Sequence, residues 1–405
     1  MGNAAHSVPQ TLENPGKLKA AGWINGLFGA LIAVGILSFF MMYGDDANHA
    51  HAWSAILRAH FYFLTVSLAA MFFVVLSWIT TSMWTAPVRR IAEGFTAYIP
   101  FLLISTILVF LGSKSLFKWT DLEAIKGDAV VEGKLGYLNM PFFMIRSLVS
   151  VIGWIIFSKI IVGRSIDTDG TGDYKSIYQK NRKLGVIFLI FFALSFSAAA
   201  FDMLMSLDPH FFSTMFGVYT FGGAYQTFFA MFAVVTIILK RTGRLGNLVN
   251  ENHIHDIAKF MFAFTVFWAY TGFSQYMLIW YANLPEETGY FILRFNAGWE
   301  PWTIGLFIGK FFIPFFLLLP RGNKRSDVIV FMTAVWVLAM QYMDMNWMIQ
   351  PQIFHDGPVH TFWDVGVWLG FLGVFGLIIM NFYKKNDLVA MKDPYLADSV
   401  NHHHI

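Results

Sequence analysis

The sequence predicts an all-α, polytopic membrane protein with ten transmembrane helices and both termini in the cytoplasm. Three observations carry that prediction. Hydrophobic residues make up 57% of the 405 positions and charged residues only 13%, against about 25% charged in soluble domains, and the mean hydropathy is +0.56. Ten runs of about 20 apolar residues follow one another, each long enough to cross the hydrocarbon core as a helix. Of the 28 Lys and Arg, 18 fall on the side that holds both termini, six on the opposite side and four inside spans; the base-rich side is the cytoplasmic one.

In chain order, the first two spans are 19–43 and 58–81, joined by a loop containing Asp45 and Asp46. The second carries His60 in RAHFYF, read either as a histidine satisfied by a neighbouring helix or as a proton carrier. Span three, 92–112, leads into the longest loop, 113–140, which mixes Lys with Asp and Glu on the outer side. Span four, 141–163, holds Arg146 about five residues inside its start, and span five, 184–207, holds Asp202 about five before its end. At 1.5 Å per residue both lie roughly 7 to 8 Å below the outer boundary. Consecutive spans make close neighbours, so the two are placed to pair. Ser195, Ala199, Asp202 and Ser206 share a face of small and hydroxyl residues that another helix can approach. Asp208 and His210 follow in LDPHF, a tight outer turn whose two titratable groups also suit a channel mouth.

Span six, 214–239, contains Tyr225 and Gln226, and span seven, 258–283, contains Gln275 and Tyr276. Each pair suits packing, with hydrogen bonding to a quinone as the alternative. The segment 283–302, NLPEETGYFILRFNAGWEPW, is rich in aromatics and acids and suits the membrane interface. The acids and aromatics of the outer loops fit interface anchoring or the docking of an extracytoplasmic partner. In span eight, 303–319, Lys310 sits in GLFIGKFFIP, where Gly305 and Gly309 form a small-residue face. Pro314 lacks an N–H, so the carbonyl of Lys310 loses its helical partner. A kink is expected there, with water or a polar side chain serving the freed carbonyl. Span nine, 327–349, places Gln341 and Asp344 three apart on one face of QYMDMNW, so Gln341 extends a hydrogen-bonded file from Asp344. Span ten, 362–383, completes the set.

Laid over one another without inversion, spans two to five and six to nine each carry one cation and one carboxylate: Arg146 with Asp202, and Lys310 with Asp344. A charge at mid-helix costs ~2.5 to 3.5 kcal/mol on insertion scales, so four such residues demand a use. Two readings stand: neutralised struts between helices, or carboxylates that load and release a proton beside a cation.

Other chemistry is excluded by residue type. The chain has no cysteine, and therefore no thiolate for an iron–sulfur cluster or for c-type haem attachment. No facing histidine pair lies deep in two spans, as b-type haem requires, so neither metal nor redox cofactor is expected on this chain. Its bases are dispersed, which argues against a nucleic-acid face despite the pI of 8.8. No cleavable signal is expected ahead of the first span; MGNAAHS lacks the Ser or Thr of a myristoylation motif, and NHHHI reads as a polar tail. A secondary transporter, suggested by the kinked span eight, and a purely structural anchor are the alternatives to a proton-handling subunit.

The stretches LMSLDPHFFSTMFGVYTFGGAYQ, NLPEETGYFILRF, GKFFIPFFLLLPRGNKR, YMDMNWMIQP and FHDGPVHTFWDVGVWLGFLGVFGL resemble the NrfD-like, or polysulfide-reductase-like, integral membrane subunits. The resemblance is dense over 184–383 and strongest to the smaller such subunit of bacterial Alternative Complex III. It implies one membrane domain over 1–405, with four-helix bundles at about 58–207 and 214–349 and flanking helices at 19–43 and 362–383. It implies a place in the bacterial inner membrane, within a complex that oxidises quinol and reduces cytochrome c or an oxidase. Expected partners are a sister NrfD-like subunit, periplasmic iron–sulfur and multihaem cytochrome c subunits, and structural lipids. The iron–sulfur clusters and haems belong to those partners, and the quinol site mainly to the sister. For this chain the resemblance implies a scaffold and a proton route.

Overall fold

The computed structural model describes residues 12–19, 21–44 and 49–401. Asp45 and Asp46, the MGNAAHS stretch and the histidines of NHHHI lie outside the described residues. Among the described residues helix follows helix, and β pairing is limited to one isolated bridge between Lys17 and Asp387. That is the expected outcome for runs so apolar, because a helix satisfies its backbone N–H and C=O groups internally where water is scarce.

Short helical turns aside, the helices are α1 Gly22–Tyr43, α2 Ala50–Ile79, α3 Arg89–Thr96, α4 Phe101–Leu111, α5 Met140–Thr171, α6 Tyr174–Met203, α7 Phe216–Arg241 and α8 Glu251–Ala282. There follow α9 Pro285–Arg294, α10 Glu300–Phe307, a π-helical turn Ile308–Phe312 that runs into α11 Ile313–Leu318, α12 Asp327–Ile353 and α13 Phe362–Lys385. Nine helical stretches among the described residues are long and apolar enough to cross a membrane, with α3–α4 and α10–α11 each counting as one. The expected span 258–283 falls within α8, which has 32 residues but is not among the nine. Gln275, Tyr276, Trp280 and Tyr281 put polar tips along it and lower its hydropathy.

Helices α2 and α7 form the centre. The apolar stretch of each is 83% buried, and α2 packs against α3, α6, α7, α12 and α13 while α7 packs against α6, α8 and α12. By contrast α1 lies at the periphery, held by α13. A Cβ on Gly35 would stand 2.5 Å from the Cα of Gly370, so the two backbones touch only because both residues are glycine. Leu18 N–H donates to the Tyr383 carbonyl at 2.9 Å and Leu388 N–H to that of Gly16 at 3.0 Å, which ties the segment before α1 to the C-terminal end of α13 and the residues that follow it.

Four arginines overturn the loop assignments made from hydropathy. Helix α2 begins eight residues before the expected span, so Arg58, counted with an outer loop, is buried within it. Arg89 and Arg90, counted with a cytoplasmic loop, and Arg294, counted with an outer one, are also buried. Each of the first three has a carboxylate partner distant in sequence, and Arg90 has a local one as well. Arg58 pairs with Asp364 and Arg89 with Asp393, while Arg90 meets Glu93 at 3.2 Å and Asp169 at 2.9 Å. A hydropathy window cannot see such partners.

Candidate functional site

The structure brings Arg146 to Asp202 and Lys310 to Asp344. In the first pair the guanidinium of Arg146 on α5 is bidentate on Asp202 of α6, with Nε to Oδ2 and Nη2 to Oδ1 both at 2.9 Å. Nη1 donates to the Tyr137 carbonyl at 3.0 Å. The rings of Tyr137 and Phe142 cover the guanidinium, 3.7 and 4.2 Å from its carbon. Asp202 is buried, whereas the Arg146 side chain keeps 13% of its surface, so this pair sits at a rim. The small-residue face of α6 is also in use: Ser195 Oγ accepts from Trp154 Nε1 at 2.8 Å and Ser206 Oγ donates to the Asp202 carbonyl at 2.6 Å.

The second pair is enclosed on all sides. Lys310 Nζ donates to Asp344 Oδ2 and to Gln341 Oε1, and the two charged side chains are 0% and 1% exposed. Tyr219 on α7 donates its hydroxyl to Asp344 Oδ1 at 2.7 Å and Trp268 on α8 donates Nε1 to Oδ2 at 3.1 Å. The ammonium also lies 4.6 Å from the centre of the Trp268 ring. A Cβ on Gly223 would meet Lys310 Nζ at 3.3 Å and Gln341 Oε1 at 3.4 Å, so the glycine leaves the lysine its room. Members of each pair share one depth, but the pairs differ. Arg146 lies six residues after Met140, and Asp202 lies five before Leu207, where the apolar stretch Tyr174–Leu207 that contains α6 ends, whereas Lys310 lies ten after Glu300 and Asp344 nine before Ile353. Four residues at 1.5 Å put the second pair about 6 Å further from its helix ends.

Pro314 has the local effect its chemistry requires. Lys310 sits in the π-helical turn Ile308–Phe312, a geometry frequent at functional sites, and the freed carbonyl of Lys310 accepts from Gln226 Nε2 at 3.3 Å. Gln226 also donates to Thr265 Oγ1 at 2.8 Å, so its place is beside the pair. A polar side chain serves that carbonyl. The nearby cavity of 270 Å³ is walled mainly by aromatic and aliphatic side chains, among them Tyr219, Trp268, Tyr276 and Trp347. Pro351 repeats the device in α12. It frees the Trp347 carbonyl, which accepts from Arg294 Nε at 3.2 Å, while Nη2 and Nη1 of the same guanidinium donate to the carbonyls of Met348 and Tyr290 at 3.0 and 2.8 Å. The negative end of the α12 dipole favours a cation at this position.

A third cluster was missed in the sequence. Arg58 donates to Asp364 Oδ1 and to Asn346 Oδ1 of α12. His51 Nε2 lies 2.9 and 3.0 Å from the two Asp364 oxygens, and Thr361 donates its N–H and hydroxyl to Oδ2 at 2.7 and 3.1 Å. Asp364 thus caps α13 and anchors it to α2 and α12. Two signals were available: the arginine that opens RAHFYF, and the Thr-x-x-Asp spacing of TFWD, which resembles a capping box. Tyr219 and Trp268 were also overlooked, since aromatic residues in spans read as packing.

The remaining candidates lie apart from the pairs. His60 is fully buried between α2 and α4, its Nδ1 2.8 Å from Ser105 Oγ and its Nε2 without a hydrogen bond among the described residues. Asp208 Oδ1 accepts the His210 N–H at 3.2 Å in the expected turn, and His210 Nε2 reaches Asp128 Oδ2 at 2.7 Å. Backbone N–H groups of Val131 and Val130, together with His210, hold the Asp128 carboxyl below its ordinary range. Tyr225 packs on Phe264, ring centres 4.4 Å apart, and Tyr276 on Phe291 at 5.2 Å. Among the described residues no group of three His, Asp or Glu is placed to hold a metal ion. Comparison with protein-family models finds no match, and comparison with curated proteins finds none either.

Proposed function

We propose that this chain is the smaller NrfD-like membrane subunit, the ActF type, of a bacterial Alternative Complex III. In this reading it crosses the inner membrane ten times with both termini cytoplasmic, scaffolds a quinol:cytochrome c or quinol:oxidase oxidoreductase, and handles a proton at Lys310–Asp344. The motifs of 184–383 and the apolar helical architecture support the assignment. Iron–sulfur clusters, haem c and the main quinol site are assigned to partner subunits.

One observation carries the proton role: the enclosed carboxylate is paired with a lysine. Arginine stays charged in proteins, so Arg146–Asp202 is a fixed strut. Lysine gives up its proton readily in a dry site, so Lys310 and Asp344 can pass between an ion pair and a neutral pair without leaving a net charge buried. The π-helical turn, Gln341 and Tyr219 give that exchange a prepared setting. A purely structural anchor is favoured by a different observation, the three donors already satisfying Asp344.

The test is the proton-to-electron stoichiometry of the assembled complex carrying Asp344→Asn or Asp202→Asn. A drop in Asp344→Asn alone is expected. Full stoichiometry in both variants would sink the proton role and leave the anchor. Membership of the complex is tested by gentle purification: haem c absorbance travelling with the chain supports it, and a colourless homogeneous chain opposes it.

A further inference from the structure

Beside the 270 Å³ cavity lies a small one of 20 Å³, bounded by Tyr219, Gln275 and Tyr290 together with apolar side chains. A space of about 10 to 15 Å³ open to the centre of a water-sized sphere suffices for one water molecule. The three polar side chains are 6%, 5% and 4% exposed. Gln275 Oε1 and the Tyr290 hydroxyl make no hydrogen bond to any described residue, and an unsatisfied buried polar group costs about 1 to 3 kcal/mol. The Tyr219 hydroxyl, already donating to Asp344, keeps its oxygen free to accept.

From this geometry we infer an internal water site between Tyr219, Gln275 and Tyr290 that joins Asp344 to the end of the molecule carrying the Asp208–His210 turn. The bonds balance. The water donates one hydrogen to Gln275 Oε1 and one to the Tyr219 oxygen, and it accepts from the Tyr290 hydroxyl. Three bonds are the usual number for a buried water. Burial, partly offset by the neighbouring Arg294, pushes the Tyr290 hydroxyl up to about 12, which keeps it a neutral donor at physiological pH. The ring of Tyr290 stacks on Phe211 with centres 4.0 Å apart, and Phe211 directly follows Asp208, Pro209 and His210. The hydrogen-bonded file from the enclosed carboxylate therefore runs Asp344, Tyr219, water, Tyr290, and it ends at a ring that lies against the segment following the Asp208–His210 turn. Its role as a relay rests on the proton reading above; its existence as a hydration site does not.

The experiment is a structure of the full complex at a resolution that shows internal waters, for the native chain and for Tyr290→Phe with Gln275→Leu. A water peak within hydrogen-bonding distance of all three side chains is expected in the native map and lost from the variant. A native map without the peak, in a region where other internal waters are visible, overturns the inference, and it decides the matter alone if the double variant fails to assemble. A peak that survives in the variant overturns the assignment to these residues. If the water is present while Asp344→Asn keeps full stoichiometry, the proton reading falls and the hydration site stands.

Discussion

The two charge pairs use the same fold element, facing helices with a cation on one and an aspartate on the other, yet their surroundings differ. Arg146–Asp202 is bidentate, covered by two rings and open at one edge. Lys310–Asp344 is closed, placed in a π-helical turn, and surrounded by Gln341, Tyr219 and Trp268. The rim pair has a cation that cannot be discharged, and the enclosed pair has one that can. The difference teaches that charge in a span is insufficient evidence of function; the identity of the cation and the donors around the carboxylate separate a strut from a site.

The largest effect should come from stranding the enclosed carboxylate. Lys310→Met leaves Asp344 without its counter-charge and is expected to destabilise the chain by about 3 to 5 kcal/mol, read as loss of folded protein in a detergent melt. Adding Asp344→Leu should restore most of it. At the rim, where Arg146 keeps some exposure, Arg146→Met should cost only about 1 to 3 kcal/mol. Equal losses in the two single variants would erase the comparison.

Arg294 sharpens it from another side. Arg294→Met deprives the carbonyl freed by Pro351 of its donor, with an expected cost of about 1 to 3 kcal/mol. Pro351→Ala returns a backbone N–H to Trp347, so the double variant should melt higher than Arg294→Met. A double variant that melts no higher would show that Arg294 does not act through that carbonyl.

The smallest effect concerns pH at the loops. Lys118 Nζ lies 2.6 Å from His355 Nε2. Burial first, then Lys118, holds His355 below its ordinary value of 6.5. The unfolded histidine therefore binds its proton before the folded one does, and stability falls as pH drops below 6.5 toward the folded value. His355 is exposed, so solvent screening keeps the effect small. Protection factors of the backbone amides around residues 118 and 355, exchange rates corrected for the intrinsic effect of pH, should fall on acidification, and His355→Gln should remove the dependence.

Both pairs were legible because an ionised residue inside an apolar run has few explanations, and because spans that turn sharply place their ends together. Pro314 was legible for the same kind of reason: its missing N–H names the carbonyl that must find another donor. The same logic applied to Pro351 would have pointed to Trp347, but not to Arg294, whose contact with α12 comes from the fold of the 285–299 segment. Arg58 was hidden by a span boundary set eight residues late. Its partner Asp364 lies 306 residues away, and no local pattern joins the two. Tyr219 and Trp268 were hidden by chemistry, since only the placement of Asp344 turns their polar tips into ligands.

The most direct test of the central claim is infrared difference spectroscopy of the assembled complex during quinol-driven turnover. The account predicts a protonated-carboxyl band that rises and decays with turnover, disappears in Asp344→Asn and survives in Asp202→Asn. A spectrum with no such band, or one whose band persists in Asp344→Asn, would contradict it.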